Sequence, residues 1–133
     1  MNRKFYEDSV AEARNHGDKR FLADKLGALG NQCASEGDAR AAISCLNEAL
    51  EIYRSMNARD GIALECYNLA GVYEIALRDY ETAMRYLEMG ILSDDIKSQK
   101  QDYADRLVRL EIKTGKIDGT PLSMRRRYDS LGV

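Results

Sequence analysis

The sequence predicts an all-α chain of about seven antiparallel helices, built as a stack of repeated units. Three observations lead there. Blocks of similar residues recur about every forty positions. Within each block the apolar residues stand three and four apart, the spacing of one helix face. No segment alternates apolar and polar residues with a period of two, so no sheet is predicted.

The first full block reads Leu26-Gly27-Ala28-Leu29-Gly30-Asn31-Gln32-Cys33, then Glu36-Gly37-Asp38, then Ala42, Leu46, Ala49 and Leu50. The second reads Cys66-Tyr67-Asn68-Leu69-Ala70-Gly71-Val72-Tyr73, then Asp79-Tyr80, then Ala83, Leu87 and Gly90. Leu29 and Leu69 are 40 residues apart, but Ala42 and Ala83 are 41 apart. The surplus residue falls in 75–78, where the first helix of the second block ends. An earlier echo places Tyr6, Asp8, Ser9 and Val10 40 residues before Leu46, Glu48, Ala49 and Leu50. A later one places Leu107 and Val108 38 residues beyond Leu69 and Ala70, with Glu111 where Tyr73 predicts an aromatic.

Helices are expected at 3–15, 19–36, 39–55, 60–77, 80–93, 97–114 and 121–130. The first carries Phe5, Val10 and Ala13 as an apolar stripe facing only the next helix. Gly17, Gly37, Gly61 and Gly115 mark or border the breaks. Asp38 caps the third helix. Thr120 caps the last, with Pro121 at its first position. One domain over 1–133 results: a half repeat in 1–16, repeats in 17–56 and 57–94, a degenerate third in 95–116, and a terminal cap in 120–133. Small residues must nest against large ones where two helices approach. Gly30, Ala42, Ala49, Ala70 and Ala83 are the small partners of Leu29, Leu46, Leu69, Tyr73 and Leu87. One such hairpin cannot bury its own stripe, so stacking is obligatory.

With 44% hydrophobic residues, the 133-residue chain can bury a core without disulfides or metal. The three cysteines, Cys33, Cys45 and Cys66, include no C-x-x-C pair, so they read as packed free thiols in a reducing, cytoplasmic setting. Met1-Asn2-Arg3-Lys4 is basic, but no apolar run follows, and nothing approaches a membrane span. A net charge of −2 gives no general pull toward nucleic acid.

Leu26-x2-Leu29-Gly30-x2-Cys33 with Ala42-x3-Leu46, and Cys66-x2-Leu69-Ala70-x2-Tyr73 with Ala83-x3-Leu87, resemble the tetratricopeptide (TPR) repeat. Asn68-Leu69-Ala70-Gly71-Val72-Tyr73 and Asp79-Tyr80-Glu81-Thr82-Ala83 strengthen the resemblance, which covers about residues 5–115. The chain departs from the family pattern at Cys33, at Gly90 and in lacking a proline between repeats. Its period is similar to that of the longer-helix subtype found in cell-polarity adaptors, kinesin light chains and bacterial peptide-sensing regulators. The resemblance implies a right-handed superhelical solenoid whose first helices line a concave groove. It also implies a non-enzymatic module, an adaptor, regulator or scaffold, that holds a peptide or helix of a protein partner there. The alternative is a structural unit that forms a homo-oligomer through its terminal helices.

On that reading the groove positions are Asp24, Gly27, Asn31, Ala34 and Ser35, then Leu64, Tyr67, Asn68, Gly71 and Glu74, then Asp102, Arg106, Arg109 and Lys113. Asn31 and Asn68 offer a donor and an acceptor to a peptide backbone. Tyr67 offers a rigid amphipathic contact. Arg106 and Arg109 suit a carboxylate. Asn31, Asn68 and Arg106 also match three positions of the family's two-carboxylate clamp, while Gly27 and Asp102 stand where that clamp has lysines.

No catalytic set is legible. His16, the only histidine, sits beside Gly17 at a helix end. No phosphate loop, dinucleotide fingerprint, zinc-protease or nucleophile-elbow motif occurs. Asp94-Asp95 and Asp102 with Asp105 lack the spacing of a calcium loop. No cofactor or metal is expected. Arg125-Arg126-Arg127 is read as part of a solvated capping helix, with Leu122, Met124 and Leu131 covering the last repeat, rather than as a nucleic-acid contact.

Overall fold

A computed structural model describes residues 2–133. Among these residues there are seven α-helices and no strand: α1 Arg3–His16, α2 Lys19–Ser35, α3 Ala39–Ser55, α4 Arg59–Gly71, α5 Tyr80–Ser93, α6 Lys97–Lys113 and α7 Pro121–Leu131. Each helix packs on its neighbours in chain order. None among the described residues is long and apolar enough to cross a membrane.

The turns share one local design. A residue in the left-handed region is followed by an N-cap: Gly17 then Asp18, Gly37 then Asp38, and Arg78 then Asp79. In each, the aspartate side chain accepts a hydrogen bond from the amide three residues on, satisfying one orphan donor of the new helix. The turn before α4 has Asn57 at φ 52° and Ala58 with no side-chain cap. Asn57 makes the break expected between 55 and 60, and Gly61, which borders it, lies inside α4. A Cβ at Gly61 would stand 2.2 Å from Cδ1 of Tyr53, so this glycine serves close approach, not a turn. Thr120 and Pro121 open α7 as the sequence predicts.

The α-helical geometry of α4 stops at Gly71, and residues Val72–Ala76 continue as a single π-turn. The Leu77 amide donates to the Val72 carbonyl at 3.3 Å, five residues back. A π-turn holds one more residue than an α-turn. It falls just where the repeat spacing grows from 40 to 41.

The small-against-large nesting is realised. A Cβ at Gly30 would meet Leu46 at 2.7 Å, and Leu46, Leu69, Leu87, Ala42, Ala49, Ala70 and Ala83 are fully buried. One core joins α1 to α4, and a second joins α4 to α7. Val10 and Ala13 are buried, whereas Phe5 keeps 51% of its surface exposed. Cys33 and Cys66 are buried and Cys45 half-buried, all as free thiols. Burial pushes Cys66 up to about 12 and Cys45 to about 11, away from reactive thiolate.

Cations tie successive hairpins together: Arg14 to Glu48 at 2.7 Å, Arg20 to Asp60 at 2.6 Å, Arg59 to Asp95 at 3.1 Å and Lys116 to Glu81 at 2.8 Å. Arg127 is the least exposed of these cations. Its guanidinium bonds Glu111 at 2.9 Å and also reaches Glu88. The arginine run is thus not wholly solvated: Arg125 and Arg126 are exposed, while Arg127 clasps α7 to α5 and α6. Leu131 is buried beneath it, but Leu122 is 58% exposed and covers nothing. Arg127→Met should leave the nearly buried Glu111 carboxylate without its donor and cost about 1–3 kcal/mol. Hydrogen exchange should then show α7 amides losing protection before the other helices do.

Candidate functional site

Residues of α2, α4, the π-turn and α6 enclose an open cavity of about 390 Å³. Seven of the groove residues expected from sequence line it: Asn31, Ala34, Ser35, Tyr67, Asn68, Gly71 and Arg106. A Cβ at Gly71 would meet nothing within 4 Å, so the floor of the cavity is bare helix backbone. Ile75, 72% exposed, stands on its lip.

Tyr67 contributes a wall rather than a projecting contact. It is only 4% exposed, and its ring stacks on Tyr103 with centroids 3.6 Å apart and planes 9° apart. Its hydroxyl donates to Asp94 at 2.8 Å. Burial and that bond both hold the phenol above its ordinary range, so Tyr67 stays a protonated donor. Asp94 also accepts from Gln99 and from the Ile96 amide, and Asp95 pairs with Arg59. These aspartates hold the start of α6.

Tyr103 was not picked out by the sequence. It lines the cavity three residues before Arg106, on the same face of α6. Glu65 was missed as well. It is 1% exposed, on α4, and faces Gly27 of α2, where a Cβ would meet its Oε2 at 2.8 Å. Gly27 therefore belongs to the α2–α4 contact and not to the groove. Glu65 Oε1 accepts from Asn68 Nδ2 at 3.0 Å, while Oε2 has no partner. Burial pushes the Glu65 carboxyl up to about 7. The Asn68 bond opposes this shift, and the charge of Asp24 adds to it. Asp24 in turn accepts from the Tyr53 hydroxyl.

The remaining expected positions divide. Leu64 is 52% exposed and does not line this cavity. Glu74 and Arg109 line a second concavity of about 470 Å³ beside the first, together with Arg106 and Lys113. Arg106 borders both. Its Nε and a terminal nitrogen bond one Glu74 oxygen at 2.8 and 2.7 Å, which neutralises its charge. His16 ends α1, exposed, 3.8 Å from Glu12.

The cavity offers a floor of bare backbone at Gly71, the amides of Asn31 and Asn68, and the aromatic walls of Tyr67 and Tyr103. No protein-family model, curated protein or solved structure matches this chain.

Proposed function

We propose that this chain is a TPR-like solenoid module that binds an extended segment of a partner protein between α2, α4 and α6. One observation carries the reading. Positions picked from the forty-residue spacing, contributed by three successive first helices, line a single cavity. The floor at Gly71 admits a peptide backbone closely. Asn31 and Asn68 supply amides at two points along it, and Val72 and Tyr67 bring an edge of each core cluster to its wall.

The test fills the floor. Peptides selected from a random displayed library should lose about tenfold or more in affinity for Gly71→Leu, by fluorescence anisotropy. The same variant should melt no lower than the parent, because a helix-interior glycine disfavours the helix by about 0.5–1 kcal/mol. Peptides that bind both proteins equally would place the site elsewhere.

Self-association is the second reading, favoured by Phe5 on α1 and Leu122 on α7, both more than half exposed. Sedimentation across a concentration series separates the two. A strict monomer at high concentration removes the second.

A further inference from the structure

The concavity beside the cavity holds three cations, Arg106, Arg109 and Lys113, and one carboxylate, Glu74. Glu74 is committed to Arg106. Arg109 is exposed, and its Nε donates only to the Asp105 carbonyl at 3.3 Å. The Asp105 side chain makes no ion pair with Arg109; its Oδ1 accepts from Tyr128 and Gln101. Lys113 is exposed too, its ammonium 5.0 Å from the centre of the Tyr80 ring. Neither Arg109 nor Lys113 has an ion-pair partner among the described residues. Two unneutralised cations therefore share one hollow in a chain whose net charge is −2.

Resting on the groove reading above, we infer that the bound segment carries an aspartate or glutamate that seats between Arg109 and Lys113. An apolar side chain of the same segment fills the cavity beside Tyr103. The spacing follows from helix geometry. From Tyr103 to the midpoint between Arg109 and Lys113 is about eight residues of α6, or roughly 12 Å at 1.5 Å per residue. An extended chain covers that in about three to four residues. The recognised pattern is apolar and acidic, with two or three residues between.

Carboxylate suits the geometry better than a phosphate backbone does. Two free cations neutralise too few phosphates for firm nucleic-acid binding. One face of the Tyr103 ring is already stacked on Tyr67, and among the described residues the hollow has no second aromatic to hold a run of bases.

The test uses the full chain and peptides selected from a random displayed library, re-made with a fluorescein label. The selected set should be enriched in an acidic residue three or four positions from an apolar one. Arg109→Glu should weaken these peptides about tenfold, and Arg109→Glu with Lys113→Glu about a hundredfold. Replacing the peptide's acid by its amide should reproduce most of that loss. Raising salt from about 50 to 500 mM should weaken the acidic peptide more than its amide form. Both protein positions are exposed, and circular dichroism would show the fold retained. Peptides blocked by Gly71→Leu yet indifferent to both charge reversals would overturn the acidic anchor and leave the groove standing. Peptides indifferent to Gly71→Leu as well would overturn both.

Discussion

Gly61→Ala is expected to destabilise the chain by about 2–4 kcal/mol and to lower Tm by about 10 °C. The added methyl would stand 2.2 Å from Cδ1 and 2.4 Å from Cγ of Tyr53. Tyr53 is 2% exposed, so its ring has no room to swing away. Its hydroxyl is also tied to Asp24, and a displaced ring would give up that bond, worth about 1 kcal/mol or more. Helix propensity works the other way by about 0.5–1 kcal/mol and does not offset the clash. Gly71→Ala makes the control: it should stabilise by that same propensity gain, since a Cβ there meets nothing within 4 Å. Denaturant unfolding of the two variants checks the pair. If both glycines respond alike, the close-approach account of Gly61 fails.

The second large effect depends on pH. Glu65 has an ordinary value of 4.5 and stands at about 7 in the fold, chiefly through burial. The folded chain then holds a proton that the unfolded chain releases. The Glu65 contribution is fully present below pH 4.5 and is lost as pH rises through about 7. Glu65→Gln should keep the bond from Asn68 and remove the ionisation. Near pH 4 it should match the parent. At pH 8.5 it should exceed the parent by roughly 3 kcal/mol, from a shift of about two and a half pKa steps. Urea titrations at both pH values measure the difference. A gap that stays constant from pH 4 to 8.5 would show that Glu65 ionises in the fold as freely as in water.

The helices were legible because their signals are local. Asp38 next to Gly37, or Thr120 next to Pro121, defines a helix start within a few residues. The nesting of Gly30 on Leu46 was legible for a related reason, since the spacing of small and large residues states which face meets which. Part of the cavity lining followed from that spacing together with the groove that the repeat resemblance implies. Glu65 and Arg127 did not follow. In sequence each reads as surface charge, and only the packing shows one facing Gly27 and the other held by Glu88, 39 residues away. The close contact at Gly61 was not legible, because glycine marks both turns and tight contacts, and the distinguishing partner, Tyr53, lies on another helix. Tyr67 was legible as a site position but not as a wall, since nothing local announces Tyr103 stacked against it.

The π-turn at residues 72–76 has a consequence for how such a chain tolerates change in length. One residue added to an ordinary coil swings everything beyond it by about 100°. Widening the coil instead keeps Asp79 in the capping role that Asp38 has in the preceding hairpin, with nearly the same backbone angles, φ −92° against −91°. Indels can thus be absorbed inside a helix without disturbing the hairpin that follows.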